Sequence, residues 1–121
     1  MKHNFHELKV WTKAMDFVAE IYQLTQLFPK EELYGLTSQT RRAATSIALS
    51  IAEGSGGSSN TEFIRFLEMA QRSVYEVLTA LEIALRLEYC EKAPVVHLTD
   101  DANEITALLA ALIKRIAAEN S

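Results

Sequence analysis

The sequence predicts an all-α protein, an up-down-up-down antiparallel four-helix bundle. Three observations predict it. Apolar residues recur at steps of three and four through most of the chain, the spacing of a helix face. Only 4 glycines and 2 prolines interrupt 121 residues, and they cluster where that periodicity lapses. No stretch alternates apolar and polar residues as a half-buried strand does. Short connections between successive helices make neighbours antiparallel, and residues 1–121 read as one bundle domain.

The first helix is expected over 5–28. Leu8, Trp11, Met15, Val18, Tyr22 and Thr25 form its main stripe, and Pro29 ends it because the residue before proline avoids helical angles. The second is expected over 36–53, on Leu36, Thr40, Ala43, Ile47 and Ile51, with Gly54 as its stop. A Gly-Ser loop follows. The third is expected over 60–90: Ser59 and Glu62 have capping-box spacing. This helix is long for a small domain and should project beyond its neighbours or carry its excess face into another subunit. Pro94 marks the next connector. The fourth is expected over 99–118, with Ile105, Leu109, Leu112 and Ile116 as its seam.

Trp11, Val18, Ile47, Ile51, Phe66, Ala70, Leu81, Leu109 and Leu112 are the expected core. Val10, Phe17, Leu24 and Leu27 lie off the first helix's main stripe, as do Ile64 and Leu87 on the third. An apolar second face needs a second partner, so these six are expected in contacts between copies.

The composition is that of a globular protein, 49% apolar and 23% charged. The N-terminus leads into no apolar targeting run, no segment is apolar enough to span a membrane, and the single cysteine suits a reducing compartment; a cytoplasmic protein is expected. The formal charge of −4 weighs against a dedicated nucleic-acid binder.

Little catalytic chemistry is legible. The run Gly54 to Ser59 lacks the lysine of a phosphate loop. His3 and His6 read as exposed near the terminus, and His97 and Cys90 fall in a connector. Cys90 stands beside Glu91, which disfavours its thiolate. No catalytic residue, cofactor, metal site or small-molecule substrate is expected.

One polar constellation stands out. Gln39, Arg42, Ser46, Ser50 and Glu53 follow one another at helical spacing beside the apolar stripe of the second helix. Ser73 and Glu76 lie opposite on the third if the two are antiparallel. Either this stripe faces solvent, or Arg42 pairs with Glu76 and fixes helix register. On the second reading, removing Glu76 from a buried pair costs about 3 kcal/mol. A basic strip of Lys2, Lys9 and Lys13 on the first helix is a possible phosphate contact.

Further motifs carry a resemblance: Phe5-x-x-Leu8-x-Val10-Trp11, Phe28-Pro29, Tyr34-Gly35-Leu36, Gln39-x-Arg41-Arg42-Ala43-Ala44-x-Ser46-Ile47, Ile51-Ala52-Glu53-Gly54 and Glu62-Phe63. Over roughly residues 5 to 90 the chain resembles the bacterial four-helix bundles encoded in intervening sequences of 23S rRNA genes, also labelled S23 ribosomal proteins. The resemblance implies a ring-like homopentamer, no enzymatic activity, and a structural role for Arg42, Ser46, Ser73 and Glu76. Ser50 stands where the family usually has asparagine, and the Gly-Ser run replaces a loop that is often basic. The function expected is therefore a non-enzymatic, homo-oligomeric scaffold or interaction module. The alternative is an accessory protein that binds rRNA or another nucleic acid, weakly or through an oligomer-dependent patch.

Overall fold

A computed structural model describes residues 3–119. Four α-helices carry the chain: α1 (Lys9–Thr25), α2 (Leu36–Ser55), α3 (Asn60–Arg86) and α4 (Lys92–Glu119). Two short 3₁₀ turns, Phe5–Glu7 and Lys30–Glu32, precede α1 and α2. There is no strand among the described residues. Each helix packs on its two neighbours in a ring, α1 on α2 and α4, α3 on α2 and α4. One core runs through all four helices and includes the fully enclosed Ile47, Ile51, Leu67, Leu81 and Leu109.

The core face of α1 is not the expected one. Val10, Ala14, Phe17, Ile21 and Leu24 are buried, whereas Met15 and Tyr22 are exposed and Trp11 and Val18 half-buried. Both rows have helical spacing. The row that won carries no polar side-chain atom, and of the expected stripe Thr25 alone is buried. The row that lost includes the Tyr22 hydroxyl, which prefers a wet edge. Val10, Phe17 and Leu24 are thus spent inside the chain's own core and cannot serve contacts between copies. Ile64 also packs on the core, while Leu27 and Leu87 remain exposed. Phe66 is half-buried at the edge of α3.

The longest contact is between α2 and α3. It begins at Gly54, where an added Cβ would lie 2.7 Å from Phe66 Cβ and 3.0 Å from Phe63 Cδ1. Only glycine lets the helices meet this closely at the loop. Ser59 caps α3 as its spacing predicts, its hydroxyl accepting the Glu62 N–H at 3.1 Å.

The ends of α3 and α4 differ from expectation. α3 stops at Arg86 through a Schellman closure: Tyr89 N–H reaches Ala84 C=O at 2.9 Å and Glu88 N–H reaches Leu85 C=O at 3.1 Å. Glu88 takes the left-handed conformation that this closure requires, at φ 60°. α4 then starts at Lys92 and takes Pro94 into its first turn, where the missing N–H has no helical partner to lose. With 27 residues in α3 and 28 in α4, those two match in length, while α3 extends beyond its other neighbour, the 20-residue α2.

The α1–α2 connector is clamped by Glu32. Its Oε1 accepts the Leu36 N–H at 2.9 Å, capping α2, and its Oε2 accepts the Tyr89 hydroxyl at 2.8 Å. Gly35 leaves room for this, since a Cβ there would fall 2.6 Å from Glu32 Oε1. Arg41 ties the same corner from the other side. Its Nε donates to Thr25 Oγ1 at 2.8 Å, its Nη2 donates to the Tyr22 carbonyl at 3.3 Å, and its guanidinium lies 4.6 Å from the Tyr22 ring centre.

The hydrogen bond from Leu36, then that from Tyr89, holds the Glu32 carboxyl below the ordinary glutamate range. A folded-state value below the unfolded one gives stability that is full above the unfolded value and fades as pH falls through the folded one. Thermal melts from neutral pH to pH 3 should therefore show Glu32→Gln less stable than the parent at neutral pH, with the gap closing on acidification. A gap of constant size would contradict the clamp.

Candidate functional site

The polar constellation opens into a groove between α2 and α3. Its volume is about 770 Å³, and Gln39, Arg42, Ser46, Glu53, Ser73 and Glu76 all line it. The structure thus brings all six expected residues onto one surface. Ser50 lines it too, though largely buried at 5% exposure.

The helix register is the expected one, but the expected ion pair is absent. Ser73 Oγ donates to Ser46 Oγ at 2.9 Å across the groove floor. Counting back one turn from that pair places Arg42 level with Val77, next to Glu76. Yet Arg42 is exposed, and its Nη2 reaches only Ser38 Oγ, 3.2 Å away on its own helix. Among the described residues it has no carboxylate within ion-pair distance. Arg42 and Glu76 splay outward because their positions on α2 and α3 face the rim, while the small serines occupy the floor. The pair neither sets the register nor is buried; the serine pair and Gly54 hold that seam.

Between these polar groups sit apolar residues that the sequence reading missed. Leu49 is 59% exposed and Tyr34 is 93% exposed; both line the groove, with Met69 and Phe66 beside them. Leu49 lies outside the apolar stripe of α2, between Ser46 and Ser50 in sequence, and that mismatch was the available signal. Tyr75 and Ile83, also exposed, extend the surface along α3. The groove thus has an apolar bed, small hydroxyls on its floor, and at its rim charges of both signs with no ion-pair partner among the described residues.

The basic strip does not assemble as expected. Lys2 lies outside the described residues. Lys13 is bound to Glu104 at 2.7 Å, and that hydrogen bond raises the lysine above its ordinary value and lowers the glutamate. Lys9 remains exposed and lines a shallow cleft with Arg115 of α4.

Of the histidines, His6 is exposed as expected, while His3 and His97 differ from expectation. His3 is half-buried; its N–H donates to the Ser55 carbonyl at 2.9 Å and its ring packs 4.9 Å from that of Phe63. His6 is exposed and stacks on Phe5 at 4.2 Å. His97 belongs to α4, not to a connector, and faces α1. Burial pushes the Cys90 thiol up, a cause other than the Glu91 charge expected from the sequence.

Comparison with known proteins now has a fold and a site to be set against. The family model described as 23S rRNA-intervening sequence protein matches residues 6–111. The chain belongs to this family. A crystal structure of a protein of unknown function from the S23 ribosomal protein family, from Bacteroides thetaiotaomicron, superposes with a TM-score of 0.80. It is 28% identical in sequence, and the match covers 87% of this chain and 98% of that one. No curated protein matches the chain. Among the described residues, no helix is long and apolar enough to cross a membrane.

An exposed, unpaired Glu76 should be nearly neutral on removal. Glu76→Ala is expected to shift unfolding free energy by no more than about 0.5 kcal/mol in urea titrations. A loss near 3 kcal/mol would restore the buried pair.

Proposed function

We propose that this protein is a non-enzymatic helical scaffold that assembles with copies of itself through the α2–α3 groove. The observation that carries the reading is the groove itself: exposed Leu49, Met69 and Tyr34 set among Arg42, Glu53 and Glu76. Surfaces that combine apolar bulk with unpaired charge gain most from a partner that covers the one and complements the other. A ring needs a heterologous contact, one face meeting a different face of the next copy. Met15 and Tyr22 of α1, both exposed, offer the apolar counterpart. Five copies is the number that the family resemblance implies. A cytoplasmic setting suits the lone, half-buried Cys90.

RNA binding is the second reading, favoured by the Lys9–Arg115 cleft and by the family's name. Charge opposes it: at −4 per chain, a ring of five would carry roughly −20 and repel a polyanion at long range.

Light scattering separates the readings. At micromolar concentration the mass should be a multiple of 13.6 kDa, and Leu49→Glu with Met69→Glu should return a monomer of unchanged helicity. A monomeric parent would refute self-assembly. Tight binding of structured RNA at physiological salt, steeply salt-dependent and lost on replacing Lys9 and Arg115, would favour the second reading.

A further inference from the structure

Across the bundle from the groove, the α1–α4 seam carries a cluster to which no role has been given. His97 Nε2 lies 2.9 Å from Glu20 Oε1 and 3.2 Å from Asp101 Oδ2. All three donor atoms fall within 4.8 Å of one another. We propose that Glu20, His97 and Asp101 form a binding site for a divalent transition-metal ion of the zinc class, which bridges α1 to α4.

The geometry accommodates a cation in place of the shared imidazole proton. One imidazole nitrogen carries at most one proton, and here it faces two carboxylate oxygens. A proton on it serves one well and the other poorly. A metal ion with bonds near 2.1 Å serves both, since adjacent ligands stand about 3 Å apart in octahedral and about 3.4 Å apart in tetrahedral coordination. Two of the three edges already have that spacing. His97 and Asp101 are one helical turn apart on α4, so a rigid element presents both, and Glu20 closes the set from α1.

The donor set selects the ion. One imidazole with two carboxylates suits zinc, nickel or cobalt(II) better than magnesium, which prefers oxygen and keeps its water. The cleft is also lined by Asp16 and Lys13. Asp16 is a further acidic group within it. Lys13 is neutralised by Glu104, which limits its repulsion of an incoming cation. His97 is 61% exposed, so water completes the coordination sphere and the affinity is modest.

Isothermal titration of the full chain with zinc chloride, near pH 7 where millimolar zinc stays in solution and the ion competes with the proton that Glu20 and Asp101 favour on the imidazole, tests the site. We expect one zinc ion per chain, at least about tenfold weaker binding in His97→Ala and in Glu20→Gln, and no comparable binding of magnesium. Zinc should also raise the melting temperature of the parent but not of His97→Ala, because the ion ties two helices of the folded state. All three ligands are on the surface, and circular dichroism verifies that each variant folds. Absence of zinc binding up to millimolar concentration would overturn the site. So would unchanged binding in His97→Ala, equal affinity for magnesium, or loss of binding on replacing His6 or Cys90 instead. Failure of self-assembly would leave these outcomes untouched.

Discussion

The close approach of α2 and α3 at Gly54 constrains most of the bundle. With no side chain at that position, Phe63 and Phe66 of α3 lie directly against the α2 backbone. From there the seam runs through small residues, Ser50 and Ala70, to the Ser46–Ser73 hydrogen bond and on to Ala43. Small residues bring helix axes together, and close axes push longer side chains to the edges of the contact. Arg42, Leu49, Met69 and Glu76 are such edge residues. The groove is thus a consequence of the packing, formed by what the seam cannot hold.

The other contacts follow from how the helix ends are tied. Glu32 caps α2 and holds Tyr89 beyond the end of α3, so the two ends of neighbouring helices share one carboxylate. The Schellman closure at Glu88 then turns the chain early enough for α4 to begin at Lys92 and run the full length of α3. An α4 that starts this early brings His97 to Glu20, and further along the same antiparallel seam Glu104 meets Lys13.

The helices and their order were legible because periodicity and capping are local. The apolar stripes of α2 and α4 are single-valued and burial largely follows them, as it does the main stripe of α3 apart from the half-buried Phe66. α1 has apolar residues on two faces, and the choice between Trp11–Met15–Val18 and Val10–Ala14–Phe17 depends on how closely α2 and α4 approach, a tertiary quantity. The α3–α4 turn was misplaced because its left-handed residue is Glu88 and not a glycine, and because Pro94 is tolerated in a first turn as readily as in a loop. The groove was legible as a polar stripe, since its spacing is a property of one helix. Its ion pair was not: register alone puts Arg42 beside Glu76, while a modest rotation of either helix decides whether the two meet or diverge. His97 was hidden by the same misplaced turn.

The bundle therefore presents two different faces, a mixed apolar and charged groove at α2–α3 and a charged seam at α1–α4. The central claim is that copies meet through the first. Hydroxyl-radical footprinting across a concentration series reads this at the level of side chains. As concentration rises through assembly, Tyr34, Leu49 and Met69 should lose reactivity, while exposed Leu27 and Val96 keep theirs. Undiminished reactivity of Met69 and Leu49 in the assembled state, with shielding confined to the α1–α4 seam, would contradict it.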